Sequence, residues 1–265
     1  MPTATIKFLS CLAICIAACD IYVFASPGEP LRSKQVNVFK PLETRHAIVT
    51  TNQVIQIYGD AVRSKLKPLF EAQKIVYPPS EMTWICLKQE KVLLVYARNQ
   101  SGRPVLLLRY PIIGASGVAG PKLKEGDKQV PEGFYKVTGL RPNVIAHLAL
   151  AVDYPNEEDR IHARKENRHS PGGDILIHGS LWSTGCLAMG NAAIDELFVL
   201  THDTGCSKIN LIFAPCDLSK KSPDLDMRLQ PRWLPGLYAR IRAALKLYQI
   251  PEIVVRPSEK TDSQK

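Results

Sequence analysis

Between Met82 and Pro215 the sequence is a succession of short apolar or alternating runs, and this texture constrains the fold more than any other feature. The runs are separated by turn-forming or charged residues: TWICLK (83–88), KVLLVYAR (91–98), PVLLLRYPIIG (104–114), FYKVTGL (134–140), AHLALAV (146–152), DILIHG (174–179) and INLIFAP (209–215). Runs of this length and spacing are typical of strands joined by hairpins. Twenty prolines agree with this, because proline interrupts helix interiors. The sequence therefore predicts a mainly β fold with flanking helices.

Apolar residues at helical spacing predict three flanking helices. The first runs from Asn52 to about Gln73, the second from Ala192 to Leu200, and the third from Leu237 to about Tyr248. Their predicted apolar faces are Val54, Ile57, Val62, Leu66, Leu69 and Phe70; then Ile194, Leu197 and Leu200; then Leu237, Ile241, Leu245 and Tyr248. The third helix is basic on its other side, as in helices that lie on membranes, but packing on its own domain is the preferred interpretation.

The pattern divides the chain into four parts. We expect residues 1–25 to be a signal, residues 26–80 an N-terminal extension with one helix, and residues 81–217 the main β-rich domain. Residues 218–265 hold the last helix and a polar tail, of which 257–265 are expected to be disordered.

The first 25 residues predict export. Lys7 precedes an apolar run that is too short for a membrane span, and small residues follow it. Cleavage after Ala25 is the preferred interpretation. Lipidation of Cys19 in a lipobox (Ile16–Cys19) and an uncleaved anchor are alternatives, although the apolar residues after Cys19 argue against lipidation. All three place the body in the periplasm or cell envelope, with membrane contact only through the signal or a lipid anchor.

The formal charge of +9 favours a polyanionic partner such as a cell-wall polymer, an anionic lipid or a nucleic acid. Aromatic residues make up only 7%, and no basic run is interleaved with them. Single-stranded nucleic acid is bound by such interleaving, so we do not expect a nucleic-acid partner.

Four of the seven cysteines lie in the body of the chain: Cys86, Cys186, Cys206 and Cys216. An even set in an oxidising compartment often forms disulfides. If one of the four is a catalytic thiol, at most one bridge can form among the others, and their spacing does not identify it.

The segment from Ile175 to Asn191 carries the chemistry. An aliphatic strand ends at His178, and Gly185 and Cys186 follow as the predicted start of a helix. A helix N-terminus lowers the pKa of a thiol, and a neighbouring imidazole can take its proton. The backbone N–H groups of Gly185 and Cys186 are expected to hold an oxyanion. Cys186 is thus the predicted nucleophile and His178 the proton donor and acceptor.

Two other interpretations assign different roles to the cysteine and histidine of this segment. Cys186 can be a small core residue while His178 ends a strand. Alternatively, His169, His178 and Cys186 can bind zinc, although no CxxC or HExxH pattern supports a metal site. His162 and His169 lie in a charged stretch that we expect to be a solvated loop.

The order His178-Gly179, then Ser183-Thr184-Gly185-Cys186, then Asn191 resembles the L,D-transpeptidase catalytic domain, the YkuD-like family. Two positions depart from the family pattern: Thr184 stands where most members carry a histidine, and Ala188 where most carry an arginine.

Both departures resemble the YafK-like branch, and the similarity covers roughly residues 52–255. GPKLKEGDKQVPEGFY (120–135), Tyr154-Pro155-Asn156 and Tyr77-Pro78-Pro79 also resemble that branch. The glycines and proline of the first of these motifs predict a solvated loop entering a hairpin.

The resemblance implies a YkuD-like L,D-transpeptidase β-fold, a Cys/His mechanism, and no cofactor or metal. It implies peptidoglycan stem peptides as the substrate, with a wall-anchored lipoprotein as a further candidate partner. Gly185, Gly179 and Ser183 are the predicted oxyanion and supporting residues. A non-catalytic wall-binding module on the same fold and a zinc hydrolase are the alternatives.

Overall fold

The computed structural model describes residues 49–253. Within this range the strands are β1 (Met82–Leu87), β2 (Val92–Arg98), β3 (Pro104–Pro111), β4 (Gly114–Ala115), β5 (Gly133–Val144), β6 (His147–Val152), β7 (Leu176–His178), β8 (Leu187–Ala188) and β9 (Ile209–Ala214). The helices are α1 (Thr51–Ala72), α2 (Glu157–Lys165), α3 (Asn191–Thr204) and α4 (Leu234–Leu245), with short 3-10 turns at Cys206–Lys208 and Met227–Leu229. The predicted signal and the tail 257–265 lie outside the described residues.

The strands form one mixed sheet in the order β3-β2-β1-β9-β5-β6-β7-β8-β4. Most neighbours are antiparallel, as hairpins require, but β1 pairs with β9 and β7 pairs with β8 in parallel. The prediction of a mainly β fold with flanking helices is confirmed.

Helices cover both faces of the sheet, which explains why the central strands are apolar on both sides. Along β1, Trp84 belongs to a core that includes residues of α1 and α3, whereas Ile85 belongs to a second core that includes residues of α4. Both side chains are fully buried. The helices of the predicted N-terminal extension and C-terminal part therefore share cores with the sheet.

The three predicted helices are present with boundaries shifted by a few residues. The side chain of Thr50 accepts a hydrogen bond from the backbone of Gln53 and fixes the start of α1. Of the predicted α1 face, Ile57 and Leu69 are exposed. Tyr248 lies beyond the end of α4 but still packs against its core.

The charged stretch before the catalytic strand differs from the prediction, because residues 157–165 form helix α2 rather than a loop. Asn156 and Asp159 exchange capping hydrogen bonds at its N-terminus. Acidic residues fill its first turn and basic residues its last, an arrangement that suits the helix dipole. His162 stacks on Trp233 at a ring-centroid distance of 4.1 Å and so is not freely solvated, whereas His169 is exposed as expected.

No helix among residues 49–253 is long and apolar enough to cross a membrane.

Candidate active site

Cys186 does not begin a helix, so the sequence prediction is wrong on this point. The residue directly precedes strand β8, and α3 begins only at Asn191, after Gly190. Backbone pairing with β7 holds residues 187–188 extended, and Gly190 turns the chain with a φ of +78°. The helix dipole therefore does not explain activation of the thiol.

The Cys186 thiol is half-buried, and its sulfur lies against the start of β7. The Leu176 N–H donates to Sγ at 3.3 Å, and Sγ lies 3.6 Å from the carbonyl oxygen of Asp174. Burial raises the pKa of the Cys186 thiol, while the Leu176 N–H and the Lys122 charge oppose the increase. The resting thiol is therefore protonated at neutral pH.

His178 is the last residue of β7 and is buried. Its Nδ1 lies 2.5 Å from the Gly179 carbonyl oxygen, so Nδ1 is assigned the proton and Nε2 keeps a lone pair. Burial lowers the pKa of His178, which favours the neutral imidazole. A neutral histidine with a free Nε2 has the form that a general base needs.

The strand register brings the two predicted catalytic residues near each other. His178 is opposite Ala188 in the parallel β7–β8 pair, and Cys186 lies directly before β8. The hydrogen bond from the Leu176 N–H to Sγ places the thiol beside β7, two residues before His178. Among residues 49–253, the hydrogen-bond partners of Sγ are the backbone groups of Leu176 and Asp174.

The two backbone donors predicted for the oxyanion are paired with serine hydroxyls. Gly185 N–H donates to Ser116 Oγ at 2.6 Å, and Cys186 N–H donates to Ser183 Oγ at 3.0 Å. Ser183 thus contacts the backbone of the predicted nucleophile. Ser116 was not identified from the sequence, and its position just before Gly117 carried no distinguishing signal.

Gly179 lies where a side chain cannot fit. A Cβ at this position would lie 2.6 Å from the Ala146 carbonyl oxygen and 2.8 Å from Asn191 Oδ1. The same amide oxygen accepts the Ser180 N–H at 2.9 Å. Gly179 and Asn191 together fix the turn after His178.

Ala188 is fully buried, and its Cβ faces Gly114 on the neighbouring strand β4. A longer side chain at this position would extend toward β4, since even a Cβ added at Gly114 would lie 3.3 Å from the Ala188 Cβ. Thr184, at the other departure from the family pattern, is exposed.

The motif 120–135 is a loop that enters the β5–β6 hairpin, as predicted, but only its middle is solvated: residues 124–126 are exposed, whereas both ends of the motif are buried. Lys122 is buried, and its Nζ lies 2.6 Å from Asp127 Oδ1 and 2.9 Å from the Lys124 carbonyl oxygen. Gly172 lies so close that a Cβ there would meet the Lys122 side chain at 3.1 Å. The motif is therefore packed against the segment that carries Asp174, next to the thiol.

All four cysteines of the body are unpaired. Burial raises the pKa of the Cys86 and Cys216 thiols to about 12, which makes both poor nucleophiles. The structure does not bring His169, His178 and Cys186 together, and residues 49–253 contain no group of three or more such side chains arranged to hold a metal ion.

A cleft of about 410 Å³ lies between the sheet and the end of α4. Its walls include Tyr96, Phe134, Lys136 and Tyr248, but neither Cys186 nor His178.

Comparisons with known proteins match the part of the chain that contains Cys186 and His178. Residues 82–208 match the family model described as the L,D-transpeptidase catalytic domain, YkuD. YafK of Escherichia coli strain K12, whose name places it provisionally among the L,D-transpeptidases, is 38% identical over 113 residues. The YafK of Escherichia coli O157:H7 matches equally. The match covers 42% of this chain and 43% of each relative, so this chain matches less than half the length of those proteins.

Two solved structures are similar over part of their length. The helical cell shape determining protein Pgp2 from Campylobacter jejuni shares 21% identity with a TM-score of 0.43, covering 62% of this chain and 57% of Pgp2. Bd1075 from Bdellovibrio bacteriovorus shares 17% identity with a TM-score of 0.39, covering 66% of this chain and 58% of Bd1075. The resemblance predicted from the Cys186 segment is confirmed by the family match: residues 82–208 of this chain match the L,D-transpeptidase catalytic domain.

Proposed function

We propose that this protein is an exported enzyme of cell-wall biogenesis and remodelling that transfers acyl groups of peptidoglycan stem peptides through Cys186. The observation that supports this most directly is a half-buried thiol hydrogen-bonded to Leu176 of β7, the strand that ends at His178, whose Nδ1 contacts the Gly179 carbonyl oxygen and leaves Nε2 without a hydrogen-bond partner among residues 49–253. The family match of residues 82–208 supports the same chemistry.

In the proposed mechanism, the Cys186 thiol rotates from Leu176 toward His178, and Nε2 takes its proton as Sγ attacks the substrate carbonyl. The tetrahedral intermediate collapses when His178 returns the proton to the departing amine, which breaks the C–N bond and leaves a thioester. An amine or a water then attacks the thioester and restores the thiol.

The substrate follows from the family resemblance. The attacked carbonyl is that on the L-centre of the diamino acid in the stem peptide. Ala188 and Thr184 replace an arginine and a histidine of the wider family, so a cation able to grip a carboxylate is missing from those two positions. We infer that hydrolysis competes strongly with cross-linking, and that a wall-anchored lipoprotein is a candidate leaving partner.

The test is mass spectrometry of purified wall fragments, including one that bears a lysine-linked peptide, after incubation with the protein. Shortened or detached stems should dominate, and Cys186→Ala should abolish them. Cys206→Ala is the matched control, because that cysteine is also half-buried. Cross-linked dimers as the main product would contradict the hydrolytic preference. Binding of wall fragments without any product would instead indicate a wall-binding module.

Export is tested by sequencing the mature N-terminus. A start at Ser26 or a lipidated Cys19 agrees with the proposal, and an intact start at Met1 or Pro2 in the cytoplasm contradicts it.

A further inference from the structure

The hydroxyl of Ser116 joins the nucleophile's backbone to the 120–135 motif. Ser116 directly follows β4, whose residue Ala115 is level with Leu187 of β8. From there its Oγ accepts the Gly185 N–H at 2.6 Å and donates to the Lys128 carbonyl oxygen at 2.7 Å. The Ser116 hydroxyl thus accepts a hydrogen bond from Gly185, beside Cys186, and donates one to Lys128 in the 120–135 motif.

This double use fixes the direction of the hydroxyl. Because the O–H group is committed to a backbone carbonyl, the oxygen presents its lone pairs to Gly185. The hydroxyl of Ser183 differs, since it lies only three residues from Cys186 and accepts at the longer distance of 3.0 Å. The hydrogen bond to Ser116 therefore links Gly185 to a distant part of the chain.

The far end of this bond is itself held in place. Gln129 follows Lys128, and its backbone N–H donates to Asp127 Oδ1 at 3.1 Å, while its side-chain oxygen accepts the Val118 N–H at 3.1 Å. Asp127 in turn pairs with the buried Lys122. The residues on either side of the Ser116–Lys128 bond are thus restrained by further hydrogen bonds.

We propose that Ser116 is a positioning residue for acyl transfer: through the Gly185 N–H it holds the backbone that precedes the nucleophile in the geometry that acylation requires. Gly185 has a φ of +91° and no side chain to restrain it, so an external bond is needed to define its peptide plane. The proposal rests on Cys186 being the nucleophile of the proposed function.

Two reactions of the same thiol separate this role from a general structural one. Alkylation by iodoacetamide needs a reactive sulfur but forms no oxyanion. Acylation by p-nitrophenyl acetate forms an Sγ–C bond and a tetrahedral oxyanion, then breaks the ester C–O bond and releases p-nitrophenol. Acylation alone develops an oxyanion next to the backbone at Gly185 and Cys186, so it alone is sensitive to the placement of that backbone.

The variants are Ser116→Thr and Ser116→Val, which have nearly the same shape and differ in a hydroxyl, with Ser101→Ala in an exposed turn as the control. We expect Ser116→Val to slow acylation of Cys186 by about tenfold or more, because misplacing reacting groups by about 1 Å can cost about a hundredfold in rate. Ser116→Thr should stay within about threefold of the wild type. Alkylation should stay within about twofold in every variant.

The proposal is overturned if Ser116→Val is acylated at the wild-type rate, or if its alkylation falls in parallel with its acylation. Thermal unfolding shows whether each variant is folded, and Ser116→Ala repeats the hydroxyl loss with a smaller side chain if the valine is not accommodated. Because both probes are independent of peptidoglycan, failure of the wild type on wall fragments would reject the proposed substrate and leave the role of Ser116 intact.

Discussion

At the residue scale, the neighbours of the predicted nucleophile distinguish it from the buried cysteines. Cys186 is partly exposed, its sulfur accepts the Leu176 N–H, and His178 ends the same strand two residues later. Cys86 and Cys216 are fully buried, and burial is the main cause of their raised pKa. The same residue type therefore has different chemistry at positions of one fold.

We expect iodoacetamide at neutral pH to alkylate Cys186 faster than the three other body cysteines. The Leu176 N–H stabilises the developing thiolate, and His178 can accept its proton. Peptide mapping after timed quenching gives the four rates, and His178→Ala should lower the rate at Cys186 several-fold. Equal rates at Cys186 and Cys206 would identify Cys186 as an ordinary structural cysteine.

The pH dependence of alkylation distinguishes a neutral Cys–His pair from an ion pair. Burial raises the pKa of Cys186 and lowers the pKa of His178, so both groups are uncharged at neutral pH. The alkylation rate should therefore still be rising above pH ~8.5, the ordinary cysteine value, and denatured protein should titrate near that value. A midpoint well below it in the folded protein would indicate a thiolate–imidazolium pair instead.

At the element scale, sequence periodicity predicts the long elements, whereas tertiary pairing decides the short ones. Helices α1, α3 and α4 carry apolar faces that can be counted in the sequence. Strand β8 has only two residues and exists because β7 lies beside it, so the sequence could not distinguish it from a helix start. Helix α2 has a single buried residue, so its signal was the Asn156–Asp159 capping pair rather than periodicity.

The burial of the Lys122 side chain also could not be predicted from the sequence. Its surroundings in sequence are polar, which predicts exposure, but Asp127 and the backbone of Lys124 satisfy its ammonium group in the fold. Burial of a lysine depends on such partners, and the sequence does not show them.

Helices α1 and α3 are joined by an ion pair that gives a pH-dependent contribution to stability. Arg63 donates two hydrogen bonds to Asp203, and Tyr77 donates a third. Burial alone would raise the pKa of Asp203, but the hydrogen bonds from Arg63, His202 and Tyr77 lower it to about 2. A lowered pKa stabilises the fold above the unfolded value of about 3.9, and this stabilisation is lost as the pH falls through about 2.

Asp203→Asn should therefore lower the free energy of unfolding at pH 7 by about 2–3 kcal/mol, as loss of a charged hydrogen-bonded partner does. The difference from the wild type should shrink between pH 4 and pH 2. Asp60→Asn is the matched control, because Asp60 approaches the same Arg63 at 3.7 Å and is fully exposed, so its change should stay below about 0.5 kcal/mol. Urea unfolding at each pH measures the free energy of unfolding of both variants. Equal losses for Asp203→Asn and Asp60→Asn at pH 7 would show that the Arg63–Asp203 pair does not stabilise the fold.

At the scale of the whole molecule, one buried network connects the sheet, the 120–135 motif and α4. Lys88, just after β1, lies 2.9 Å from Glu132 Oε1 and also donates to the carbonyl oxygens of Gly120 and Val130. From α4, the Tyr238 hydroxyl donates to the other Glu132 oxygen at 2.6 Å. The motif that contacts the candidate active site through Ser116 is therefore held by Lys88, which follows β1, and by Tyr238 of α4.

This network predicts that the C-terminal helix contributes to the stability of the catalytic region. Glu132→Gln leaves the buried Lys88 without its counter-charge and should lower the free energy of unfolding by about 3–5 kcal/mol. Tyr238→Phe removes one hydrogen bond to a buried carboxylate and should cost about 1–3 kcal/mol. Tyr248→Phe is the control for the tyrosine, because its ring packs on the same core but its hydroxyl has no hydrogen-bond partner among residues 49–253. Chemical denaturation compares the three, and a Tyr238→Phe change no larger than that of Tyr248→Phe would show that α4 is attached by apolar packing alone.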